Sequence, residues 1–136
     1  MEYRVCRNNP APYNDLSGKI SLLGLGTMRL PLRDAADQTS IDEEKAQEIF
    51  DYAYAHGVNY FDTAYPYHGG MSEKFCGKAL TKYPRASYHL ASKLPGWLLK
   101  CDEDVPRIFN EQLANCRTDY FDFYLAHSVH ESSWSN

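Results

Sequence analysis

The chain has 136 residues, 43% of them apolar, and a formal net charge of −4 at pH 7. That length supplies one modest domain, and the apolar share supplies a core and excludes a disordered chain. The mild acidity, with no two Lys or Arg residues adjacent, argues against a nucleic-acid surface, and no apolar run approaches the roughly 20 residues of a membrane span. Residues 1 to 17 read as a strand and a turn, the turn carried by Pro10, Pro12, Asn14 and Asp15. Ile20 to Leu25 is an apolar run ending in Gly24-Leu25-Gly26, which predicts one buried strand entering a tight loop. Leu30 to Thr39 reads as a polar loop.

Ser40 is expected to open a helix, because Ser40-x-x-Glu43 fits a capping box. Ala46, Ile49, Phe50 and Ala53 recur at helical spacing as one apolar face. Gly57 stands where a C-terminal stop belongs, with His56 in the last turn. Val58-Asn59-Tyr60-Phe61 then reads as a buried strand. A shorter helix is expected over Ser72 to Leu80, capped by Ser72, with Phe75, Ala79 and Leu80 inward. A strand over Tyr88 to Ala91 follows; Pro95-Gly96 breaks the chain, and Trp97-Leu98-Leu99 is expected to pack over the loop. The third helix spans Asp104 to Cys116 with Pro106 in its first turn. Val105, Ile108, Phe109, Leu113 and Cys116 lie on one of its faces, and Phe121 to Leu125 is a further strand.

Such alternation of strand and helix implies an α/β fold with a parallel sheet and right-handed crossovers. Two solutions fit, a doubly wound sheet or part of an eight-stranded barrel. Gly24-x-Gly26 suggests a dinucleotide loop, but the third glycine of that pattern falls at Arg29, so the doubly wound choice is the weaker.

Ionisable groups mark the ends of the last three strands. Asp62 ends one, with Tyr67 five residues on; Lys93 follows the next, and His127 the last. One such group per strand suggests a proton-transfer site. Taken singly, each also has an ordinary reading: a loop-starting acid, one of 11 tyrosines, a snorkelling lysine and a satisfied strand-end histidine. His127-x-x-His130 has no carboxylate or Cys partner in pattern, so no metal is expected. Cys6, Cys76, Cys101 and Cys116 form no Cys-x-x-Cys pair and read as free buried thiols. Met1-Glu2-Tyr3-Arg4 lacks the apolar stretch of a secretory leader, which predicts a cytoplasmic protein.

Three segments resemble the aldo-keto reductase family in register. They are Val58-Asn59-Tyr60-Phe61-Asp62-Thr63-Ala64-x-x-Tyr67 with Ser72-Glu73 and Gly77-x-Ala79-Leu80, then Leu90-Ala91-Ser92-Lys93, then Thr118-Asp119-Tyr120-Phe121-Asp122-x-Tyr124-Leu125-x-His127. Tyr67-His68-Gly69-Gly70, Lys93-Leu94-Pro95-x-Trp97 and Glu131-x-x-Trp134 are similar to bacterial members carrying an iron-sulfur cluster in a C-terminal extension, whose Cys-rich ligands this chain does not contain. The resemblance implies the N-terminal portion of a (β/α)8 barrel, about four parallel strands preceded by a hairpin, in one domain over residues 1 to 136. It also implies reduction of a small carbonyl, or oxidation of the alcohol, with NADPH or NADH.

By position Asp62, Tyr67, Lys93 and His127 would be the family's catalytic four, with Asp62 and the segment Gly26, Thr27 and Met28 near the nicotinamide ribose. The charges give these roles a physical sense. Hydride attack leaves negative charge on the carbonyl oxygen, and a tyrosine can protonate it. A free tyrosine ionises at about pH 10, and a lysine cation beside it favours the tyrosinate. Asp62 would hold Lys93, and His127 would orient the carbonyl. A full barrel takes about 250 residues, so the sequence predicts a truncated barrel with two open strand edges. The cofactor grip of the second half would then come from elsewhere. The alternative is a non-catalytic half barrel that self-associates or binds a complementing second half through those edges.

Overall fold

A computed structural model describes residues 1–5 and 19–133. The expected turn at Pro10, Pro12, Asn14 and Asp15 lies outside these residues, as do Cys6 and Trp134.

The single strand expected over residues 20 to 25 is two. Lys19–Ser21 (β2) pairs antiparallel with Tyr3–Val5 (β1), whereas Leu25–Gly26 (β3) joins a separate parallel sheet. Leu22 and Leu23 between them are exposed. The mainly apolar run carries no mark of such a bend except Gly24, where a Cβ would come within 2.9 Å of the Tyr60 ring. The hairpin seats against the start of the parallel strands. Ser21 N–H donates to Asn59 Oδ1 at 2.8 Å, Asn59 Nδ2 donates to Lys19 O at 3.2 Å, and the Tyr3 hydroxyl donates to Gly57 O at 3.0 Å.

The first helix, α1, is Glu43–Ala55, and its cap differs from expectation. Asp42, not Ser40, accepts a backbone N–H, that of Lys45 at 3.3 Å. The Ser40 hydroxyl is committed to its own loop, donating to Asp37 O at 2.7 Å and accepting from Asp34 N–H at 3.0 Å. Turn and cap compete for the same short side chain. Ala46 and Phe50 are buried, while Ile49, expected on the same face, is 40% exposed. Gly57 adopts the left-handed φ of 85° that stops the helix.

Tyr60–Asp62 (β4), His89–Leu94 (β5) and Phe123–Ala126 (β6) complete a parallel sheet in the order β3-β4-β5-β6. α1 crosses from β3 to β4, Met71–Leu80 (α2) from β4 to β5 and Asp104–Cys116 (α3) from β5 to β6. Phe50 of α1 stacks on Phe61 of β4 at 5.2 Å and meets Phe75 of α2 edge-on at 5.4 Å. These rings, with Leu80 and Leu90, form the core between sheet and helices. Burying such rings is the main stabilising term for a domain of this size.

Ser72 does not cap α2; Gly70 precedes that helix in a left-handed conformation (φ 89°), and no side chain caps it. Gly77 lets α2 and α3 touch, since a Cβ there would sit 2.5 Å from Asn115 O. Val105, expected inward, is at the surface, and the buried residues of α3 are Ile108, Gln112 and Cys116. Trp97 packs only in part and is 55% exposed. Cys76 and Cys116 are free and buried as expected, but Cys101 is exposed.

Arg85 rivets the approach to β5 and β6. It donates to Thr118 Oγ1 at 2.9 Å, Tyr120 O at 2.9 Å and Asp122 Oδ2 at 2.7 Å. The guanidinium also lies 3.8 Å from the Tyr120 ring centroid.

Candidate active site

The sheet register brings the strand-end residues to one face. Gly26 pairs with Asp62, Asp62 with Ala91, and Ala91 with Phe123. Alternate residues of a strand share a face, so Lys93 stands two positions beyond Ala91 on the face of Asp62. His127 likewise stands two beyond Leu125, the partner of Lys93. All lie at the C-terminal ends of parallel strands, where sites of this architecture form.

Lys93 is the hub. Its Nζ donates to Asp62 Oδ1 at 2.6 Å and to Thr63 O at 2.7 Å, and lies 4.8 Å from the Tyr67 ring centroid. The Asp62–Lys93 pair is mostly screened from water, with side-chain exposures of 28% and 13%. A charge-assisted bond in such a setting fixes the ammonium rather than leaving it mobile. Tyr67 and Trp97 both meet the His127 ring in edge-type contacts, at centroid distances of 5.8 Å and 5.0 Å. His127 Nδ1 is buried with no hydrogen-bond partner among the described residues. Burial, and then the Lys93 ammonium, hold His127 below the ordinary histidine range, so the ring is neutral at pH 7.

Of the segment at the end of β3, Gly26 and Met28 are exposed beside Asp62. Thr27 turns inward and is fully buried. Its hydroxyl donates to Asp62 O at 2.9 Å and shares a bond with Ser72 Oγ at 2.8 Å, and Ser72 bonds Thr63 Oγ1 at 2.9 Å. The Thr27 side chain therefore anchors the loop, and its neighbours face the open site.

Behind Lys93 lies a buried polar network that sequence reasoning missed. The Glu73 carboxylate accepts from Ser92 Oγ at 2.7 Å and from Gln112 Nε2 at 2.6 Å. The Gln112 amide also donates to Lys93 O at 3.1 Å and accepts from the Tyr124 hydroxyl at 2.6 Å. Its presence was readable in principle: Gln112 stands midway between buried Ile108 and Cys116 on one stripe of α3. Burial of that network, and next the Glu73 charge, push Tyr124 up to about 12. A cleft of about 440 Å³ lies between the loops after β4 and β5 and helices α2 and α3, lined by Tyr65, Pro66, Trp97, Leu98, Lys74 and Glu111 among others, and by none of Asp62, Tyr67, Lys93 and His127. Among the described residues no cluster of His, Cys, Asp or Glu could hold a metal ion. Among the described residues no helix is long and apolar enough to cross a membrane.

Four parallel strands with crossover helices and a charged cluster at the strand ends define this chain as a portion of a (β/α)8 barrel. The chain belongs to the aldo/keto reductase family, whose sequence profile matches residues 22–133. It is 32% identical over 117 residues to L-galactose dehydrogenase of Arabidopsis thaliana, covering 82% of this chain and 35% of that protein. It is 29% identical over 122 residues to the probable aldo-keto reductase 1 of Glycine max, covering 84% and 34%. Among solved structures it resembles a thermostable aldo-keto reductase in complex with epalrestat (TM-score 0.71, 27% identity, 97% of this chain and 44% of that one). It also resembles an aldo-keto reductase from Klebsiella pneumoniae in complex with NADPH (TM-score 0.66, 27% identity, 85% and 38%). The chain thus spans about a third of the length of these two plant relatives.

Proposed function

We propose that this chain carries the acid–base half of an NADPH-dependent carbonyl reductase acting on small carbonyl compounds and their alcohols. The observation that carries this reading is the Lys93 ammonium, bonded to Asp62 at 2.6 Å and 4.8 Å from the Tyr67 ring centroid, with the His127 ring also against Tyr67. The residues present fit a nicotinamide cofactor. Asp62 Oδ2 has no hydrogen-bond partner among the described residues, and a Cβ on Gly26 would meet nothing within 4 Å. Asp62 and the exposed strand end at Gly26 and Met28 would hold the nicotinamide ribose. When bound, the reduced nicotinamide supplies the hydride.

Tyr67 gives its hydroxyl proton to the carbonyl oxygen as negative charge develops there. Lys93 stabilises the tyrosinate that remains, and Asp62 keeps Lys93 in place. Neutral His127 donates a hydrogen bond that orients the carbonyl. The buried free thiols Cys76 and Cys116 suit a reducing cytoplasm. In the intact protein, Tyr67→Phe should lower kcat by about a hundredfold or more and leave NADPH affinity, read by fluorescence titration, nearly unchanged. Unaltered kcat in that variant rejects the proton-donor role.

A second reading is favoured by the edges of the sheet. Among the described residues β3 and β6 each have a free side, and Leu22, Leu23, Leu125 and Val129 are exposed. Under this reading the edges take strands from a second copy of the chain or from a complementing segment. Size-exclusion chromatography with light scattering decides it: a discrete dimer of this chain supports self-pairing, and a stable monomer excludes it.

A further inference from the structure

The geometry points to a positioning role for His68, the residue after Tyr67: its imidazole sets where the Tyr67 hydroxyl stands and ties that residue to the strand-end loop that follows Met28. The inference rests on the reading of Tyr67 as proton donor.

His68 is buried, yet its backbone is left-handed (φ 54°, ψ 40°). A residue with a Cβ disfavours that region, and a buried side chain in it must be held there by its contacts. Gly69 and Gly70, also at positive φ, reach it without strain. Among these three residues, the one next to Tyr67 is thus the one that keeps a side chain.

That side chain makes two bonds of fixed polarity. Leu30 N–H donates to His68 Nε2 at 3.0 Å, and Nδ1 lies 2.8 Å from Gln38 O. A backbone N–H can only donate, so Nε2 bears the lone pair. Nδ1 then carries the proton and donates it to the Gln38 carbonyl. The ring is locked as one neutral tautomer.

The two partners lie at the base and near the tip of one loop. That loop is closed on itself by the Leu32–Ile41 bridge, by Arg33 N–H to Ser40 O at 2.7 Å and by Asp42 N–H to Pro31 O at 2.8 Å. It is therefore a preformed unit, anchored on the β3 side by Thr27. Among the described residues, the hydrogen bonds joining it to the Tyr67–Gly70 turn are the two made by His68. One imidazole thus couples the placement of Tyr67 to the segment beside Asp62. Small displacements of a reacting group are costly in rate, and this clasp opposes them.

The test uses the intact protein with nitrogen-15 in its histidine rings and carbon-13 at tyrosine Cζ. His68→Gly relieves the backbone strain while removing the clasp, so a merely structural role predicts a folded protein of undiminished turnover. The positioning role predicts a shifted Tyr67 resonance and a kcat lowered roughly a hundredfold, with KM for the carbonyl nearly unchanged. His68→Asn keeps a donor, an acceptor and tolerance of left-handed backbone, and should restore the resonance and most of the turnover. An unshifted Tyr67 resonance in His68→Gly, an Nε2–H tautomer, or His68→Asn no better than His68→Gly each overturns the proposal. Tyr67→Phe separates the two levels. If it retains full turnover, the proton-donor reading itself is lost; if it is inactive while His68→Gly is fully active, the clasp alone is lost.

Discussion

At the scale of single residues, the site is a set of charges arranged around one lysine, and His127 reports on it. Burial and the Lys93 ammonium keep that ring neutral in the folded protein. In the unfolded chain it ionises at about 6.5. As pH falls through that value the unfolded state takes up the proton first, so stability falls toward acid. His127→Gln removes the effect. The drop in Tm from about pH 7.5 to about pH 5.5, spanning the ordinary histidine range, should be smaller in the variant than in the parent protein; an equal drop would show that His127 does not titrate this way. That Asp62, Tyr67, Lys93 and His127 come together was legible in the sequence because each stands at or just beyond the C-terminal end of a strand, and such ends line up along one edge of a parallel sheet. The inward turn of Thr27 and the clasp of His68 were not. Both sit in loops, where side-chain direction depends on backbone torsions that carry no periodic signal.

At the scale of elements, the helices were the most legible part, and their surfaces the least. α3 spans the residues that its apolar spacing and Pro106 predict. Its contact with α2 depends instead on the absence of a side chain at Gly77. Gly77→Ala should destabilise the fold by about 1–3 kcal/mol, the usual range for overpacking, as read by urea denaturation. A change near zero would mean that α3 can move aside freely. The caps were misread for a physical reason: Ser, Asp and Gly near a helix start serve turns as readily as caps. The loop before α1 holds Ser40 and leaves the capping to Asp42. Asp42→Ala should therefore lower stability, a loss that urea titration would register. If the variant matches the parent, the bond to Lys45 contributes nothing to the helix.

At the scale of the whole molecule, burial sorts the thiols. Desolvation raises Cys76 to about 11, and burial also pushes Cys116 far upward, whereas Cys101 stands in solvent. Treated with a thiol reagent at neutral pH and mapped by mass spectrometry, Cys101 should label within minutes and Cys76 and Cys116 only on denaturation. Rapid labelling of all three would mean that the α2–α3 layer opens readily. The edges that β3 and β6 leave open among the described residues belong to this scale too, and sequence pattern could only imply them by counting strands. The β1–β2 hairpin has a further consequence. It binds the sheet where the strands begin, through Asn59, Lys19 and Gly57, while Lys93 stands at the far end of β5. His89 and Lys93 are separated by four strand steps, about 13 Å of rise. A tether or fluorescent label attached to this hairpin would thus leave the Lys93 end of the sheet pointing away from the support, which makes the hairpin the natural handle for a surface-bound assay.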